Sequence, residues 1–131
     1  MTDAVGTRVL WCMVFLLFGC SSRPPHVPPK DDGILFQRPL ADCHAAALDA
    51  FSVFGFDVKT DQPDYVEGVR PRKFNLIWGN PGGERVRVWL TPTGSEETRV
   101  VITSERAVLG MVAQKNWGRD MAHQMTESLA R

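Results

Sequence analysis

The sequence predicts an α+β fold, an antiparallel sheet of about four to five strands with two helices on one face, in the order β-α-β-β-β-β-α and helix-grip-like. Three observations predict it. Apolar residues recur at spacings of three and four within residues 40–54 and 114–129, the period of a helix with one buried stripe. Residues 85–91 and 98–103 alternate apolar and polar, the period of a strand with one buried face. Pro, Gly, Asn and Asp punctuate the intervening stretches, where tight turns need them.

The domain starts at Ile34. Residues 34–37 read as a short strand ahead of Pro39. In the helix that follows, Leu40, His44, Ala47, Leu48, Phe51 and Phe54 share one face, and Gly55 supplies a stop. Phe56 and Val58 alternate with Asp57 and Lys59, as in a half-buried strand. Asp61, Gln62, Pro63 and Asp64 read as a turn, and residues 65–69 as the returning arm, with Gly68 marking a bulge. Residues 70–79 carry mixed signals: Pro71 interrupts a strand pattern that resumes at 74–78. Asn80, Pro81, Gly82 and Gly83 form a strong turn.

Residues 85–91 form the clearest strand. Val86, Val88 and Leu90 face one way, and Arg85, Arg87 and Trp89 the other. Residues 92–95 turn the chain, and residues 98–103 return with Val100 and Ile102 inward. Residues 107–112 (AVLGMV) fit no period and have two readings, an exposed apolar contact or a segment tucked under the last helix. In that helix Trp117, Met121, Met125 and Leu129 form the stripe, and His123 lies opposite.

Composition bounds the function. The chain has 131 residues, 44% hydrophobic and 23% charged, with 15 basic and 15 acidic side chains. That suits one small domain. A neutral balance argues against a nucleic-acid partner recruited by bulk charge.

The N-terminal part reads differently. Residues 9–18 are an uninterrupted apolar run of ten, the length of a signal-peptide core. A bilayer span needs about 20 apolar residues. Residues 21–33 then hold four prolines and few apolar residues. Such a spacer favours polyproline II geometry and reaches on the order of 40 Å.

The junction between them, Leu17-Phe18-Gly19-Cys20, resembles the lipobox of bacterial lipoproteins. Leu17 matches the large aliphatic position and Gly19 the small residue before the cut, while Phe18 departs from the usual small residue. The resemblance implies cleavage between Gly19 and Cys20 and lipidation, palmitate included, of Cys20. It divides the chain into a signal peptide (1–19), a lipidated cysteine with a Pro-rich linker (20–33) and one α+β domain (34–131). Multiple acyl chains anchor stably, at about 0.8 kcal/mol per buried CH₂. Ser21 after the cysteine resembles the outer-membrane sorting signal of Gram-negative lipoproteins. It implies the periplasmic face of the outer membrane.

The stretch ALDAFSVFGFDVKTDQPDYVEGV, the RVRVWLTP hairpin and the terminal helix are similar to small BamC-like envelope lipoproteins. The resemblance rests on packing and turn patterns over most of residues 40–130 and transfers no catalytic residue.

Few residues suggest chemistry. With Cys12 in the signal peptide and Cys20 acylated, Cys43 is left alone, so no intramolecular disulfide is expected. Cys43 beside His44 invites a nucleophile reading. Neighbours on a helix diverge by about 100°, however, which favours a helix-flank Cys and a half-buried His. Cys43, His44, Asp120 and His123 are the only set that could be pooled for a metal, and they lack a recognisable ligand spacing. No metal and no cofactor are expected.

The outward face of the second hairpin is the candidate surface. Arg85, Arg87 and Trp89, with Arg99 across from them and Arg70, Arg72 and Lys73 nearby, are residue types enriched at binding hot spots. The alternative is an ordinary solvated sheet face with cross-strand pairs. The expected function is a lipid-anchored, non-catalytic extracytoplasmic binding or scaffolding module with an envelope protein partner. A carrier of a small apolar ligand or lipid is the second expectation, recognisable by a pocket above about 300 Å³ between sheet and helix.

Overall fold

In a computed structural model we describe residues 27–30, 33–71, 83–105 and 115–131. The elements are β1 (Ile34–Phe36), α1 (Leu40–Val53), β2 (Asp57–Gln62), β3 (Tyr65–Val69), β4 (Arg85–Gly94), β5 (Glu97–Glu105) and α2 (Gly118–Leu129). The strands form one antiparallel five-stranded sheet in the order β1-β5-β4-β3-β2. The α+β class and the element order are those the periodicity predicts.

Alternation sets which face is buried. Val86, Val88 and Leu90 of β4 and Val100 of β5 join Met121 and Met125 of α2 in one apolar cluster. From α1 the cluster takes Cys43, Ala46, Ala47, Ala50 and Phe51, so both helices cover the same sheet face. Phe51, Leu90, Met121 and Met125 are fully buried, each worth about 1.5–3 kcal/mol of burial. The core side of α1 is turned from the expected stripe. Ala47 and Phe51 are buried as expected, but Leu40, Leu48 and Phe54 only flank the core, and Cys43, Ala46 and Ala50 fill its centre. Small side chains allow α1 to lie close to α2 and the strands. Cys43, expected on the helix flank, is therefore a core residue.

α1 ends in a Schellman motif. Phe56 N–H donates to Phe51 C=O at 2.8 Å and Gly55 N–H to Ser52 C=O at 3.1 Å. Gly55 has φ 71°, the left-handed conformation that glycine adopts freely. The accompanying apolar contact is Phe51 against Phe56, with ring centroids 5.7 Å apart. At the far end of the domain, Arg38 Nη2 donates to Leu129 C=O at 2.9 Å, placing a cation at the C-terminus of α2.

Two turns and one bulge shift from their expected places. Asp61 and Gln62 belong to β2, leaving Pro63 and Asp64 as the connection to β3. β4 continues through Pro92 to Gly94, so the turn falls at Ser95 and Glu96. Pro92 is tolerated because β3 pairs with β4 only as far as Trp89, and beyond it β4 is an edge on that side. The bulge near Gly68 lies in the opposing strand: the β2–β3 register shifts between Val58 and Thr60. Val58, expected inward, is exposed at this edge. Residues 72–82 and 106–114, which include Arg72, Lys73, the 74–78 strand pattern and AVLGMV, lie outside the described residues, as do residues 1–26 with Leu17, Gly19 and Cys20.

Candidate functional site

The sheet face turned away from the helices carries Arg85, Arg87, Trp89 and Arg99, whereas Arg70, expected nearby, lies against Trp117 at the start of α2. The register aligns the residues of this face in cross-strand rows. Val101, Trp89, Tyr65 and Gln62 form one row, and Thr103, Arg87, Glu67 and Thr60 the next. Arg99 stands beside Thr91 and Leu35.

Arg85 and Arg87 are already engaged. Glu67 accepts hydrogen bonds from Tyr65 Oη at 2.7 Å, Arg87 Nε at 2.9 Å and Arg85 Nη1 at 3.2 Å. Arg87 Nη1 also donates to Glu105. Burial pushes the Glu67 carboxyl up, but the hydrogen bonds from Tyr65 and Arg87 and the charges of both arginines outweigh it. The group is held below its ordinary range. Tyr65 is pushed up to about 12, first by burial and then by its bond to Glu67. A phosphate or carboxylate approaching these arginines would compete with Glu67 for their charge.

Trp89 does not project as an exposed anchor. It is 9% exposed and packs with Tyr65 and Val101, its ring centroid 5.5 Å from that of Tyr65. The Arg99 side chain is exposed and makes no hydrogen bond or ion pair among the described residues. The face is thus an aromatic patch beside a neutralised Arg–Glu ladder. Tyr65 and Glu67 were absent from the sequence expectation. Their alternation with Val66 and Gly68 in β3 was the signal for them.

A second feature sits at the rim, where the start of α1 meets the β2–β3 turn. His44 and Asp61 meet with Nε2 and Oδ1 2.6 Å apart. A carboxylate only accepts, so Nε2 carries the shared proton as donor. Around them Leu40, Ala41, Gln62 and Pro63 complete a solvent-open cleft of about 390 Å³.

The other nominated residues stay apart. Cys43 has no exposed surface, and desolvation by burial, the largest influence on it, leaves its thiol above the ordinary value. A nucleophilic cysteine needs the opposite environment. Asp120 pairs with Lys115 at 2.6 Å, and His123 faces solvent with Glu127 at 3.7 Å. Among the described residues no group of three potential ligands converges on a metal position.

No protein-family model matches the chain, and no curated protein matches it.

Proposed function

We propose that the chain is a lipid-anchored extracytoplasmic module of the bacterial envelope that binds or scaffolds a protein partner without catalysis. Cys20 is the attachment point, and the periplasmic face of the outer membrane is the location. The observation that carries the reading is Leu17-Phe18-Gly19-Cys20 at the end of an apolar run, followed by a proline-rich spacer and a single domain. Burial of the Cys43 thiol supports a non-catalytic role.

The carrier reading has one observation in its favour, the cleft of about 390 Å³. That cleft lies at the rim. Between sheet and helices, the described residues Phe51, Leu90, Met121 and Met125 pack into one buried apolar cluster. The binding-module reading therefore stands first.

Crosslinking in native membranes followed by affinity purification and mass spectrometry tests it, with Cys20→Ala as control. The proposal expects a reproducible envelope protein that is lost from the unlipidated control. Equal recovery from both forms, or none from either, counts against it.

A further inference from the structure

We infer that the rim cleft at His44 and Asp61 receives the side chain of an arginine from a partner polypeptide. The inference rests on the binding-module reading and names the chemistry recognised at one of its surfaces.

The cleft walls are mostly apolar: Leu40, Ala41 and Pro63 line it with His44, Asp61 and Gln62. No Lys or Arg lines it. His44 holds one oxygen of Asp61, the Oδ1 at 2.6 Å. The Asp61 side chain is 50% exposed, and its Oδ2 has no partner among the described residues. The pair therefore offers a carboxylate that is oriented by one neighbour and still has an open acceptor. Its charge excludes an anionic ligand. The N-terminal dipole of α1 would favour an anion, but Asp42 in the first turn opposes that field.

A long cationic side chain fits these surroundings. Its aliphatic stem covers Leu40 and Pro63 while its head reaches Asp61. The apolar walls select between the two basic residues. Guanidinium is weakly hydrated and tolerates such walls, whereas ammonium holds its water strongly. The volume suits a side chain and the backbone that carries it, at the lower end of the range for ligand clefts. The cleft is also accessible, since Ala41, Asp61 and Pro63 are all exposed.

The experiment is a titration of the ¹⁵N-labelled full chain in detergent with N-acetyl-leucyl-arginine amide, followed by amide chemical shifts. The citrulline counterpart, neutral and nearly the same shape, runs in parallel. Saturable shifts at Leu40, Ala41, His44, Asp61 and Gln62 are expected with the arginine peptide only. Asp61→Asn keeps the side-chain shape and an acceptor for His44, and should weaken binding about tenfold or more. Glu127→Gln, on the exposed side of α2, removes the same bulk charge and should leave affinity unchanged. Equal shifts with citrulline, shifts scattered over the surface, or an unaltered affinity in Asp61→Asn would overturn the inference. So would the absence of saturable binding up to millimolar peptide. Because the titration does not depend on the anchor, its failure beside an intact membrane crosslink removes only the arginine assignment.

Discussion

The Arg70 guanidinium lies 4.9 Å from the centre of the Trp117 ring, joining the residue after β3 to the N-cap of α2. Lys115 also lies over this ring, at 4.6 Å, and Phe54 and Phe56 approach it at 5.3 and 5.4 Å. Among the described residues Arg70 pairs with Glu84, with Nη1 3.9 Å from Oε1, and Glu84 is only 1% exposed. Losing Arg70 therefore costs more than a cation–π contact. Arg70→Met takes from a buried carboxylate the countercharge it has among the described residues, at about 3 kcal/mol. Trp117→Phe keeps most of the packing and removes an indole N–H that has no partner among the described residues, so it costs about 1 kcal/mol. Urea unfolding of both variants checks the order. A double variant, Arg70→Met with Glu84→Gln, should recover part of the loss.

Gly68 is required by packing. A Cβ there would lie 2.6 Å from Phe51 Cδ1 and 2.7 Å from Cε1. Gly68→Ala should cost about 1–3 kcal/mol through overpacking. Phe51→Leu should be less harmful in the Gly68→Ala background than in the native chain. Additive losses in a double-mutant cycle would show that the two residues do not compete for the same space.

Tyr65 is the single tyrosine of the sequence, so absorbance at 295 nm reports on it alone among tyrosines. It should ionise near 12 rather than 10. The sign follows from which state ionises first. Between 10 and 12 the unfolded chain loses the proton while the folded one keeps it. The stability contributed by Tyr65 is therefore complete below 10 and is lost as the pH climbs to 12. Glu67→Gln removes a negative neighbour and should bring the midpoint down.

Cys43 should react with a thiol reagent more slowly in the native chain than a free model thiol does, and at the ordinary rate in urea. Its raised pKa keeps it protonated in the folded state. Its stabilising contribution is present below the ordinary thiol value and fades as pH rises through the folded one. Fast native labelling would reopen the nucleophile reading.

The legible parts were those decided by one element alone. Val86, Val88 and Leu90 follow from strand alternation, Trp117, Met121 and Met125 from helical period, and Gly55 from helix termination. What stayed hidden was decided between elements. The core side of α1 does not follow from the stripe of large apolar residues Leu40, Leu48, Phe51 and Phe54. Close helix packing instead selected Cys43, Ala46 and Ala50. Pro92 looked like a strand end, since nothing local says that β3 stops opposite Trp89. The outward arginines were visible. Their pairing with Glu67 and Glu105 was not, because it depends on the β3–β4 and β4–β5 register. The His44–Asp61 pair joins a helix to a strand end and leaves no periodic trace.

The proposed attachment through Cys20 is decided by the mass of the mature protein isolated from bacterial membranes. The expected chain begins at Cys20 and carries a diacylglyceryl group and an amide-linked acyl chain, with Cys20→Ala giving neither cleavage nor acylation. A membrane-derived chain with an unmodified Cys20, cut elsewhere or not at all, would contradict it.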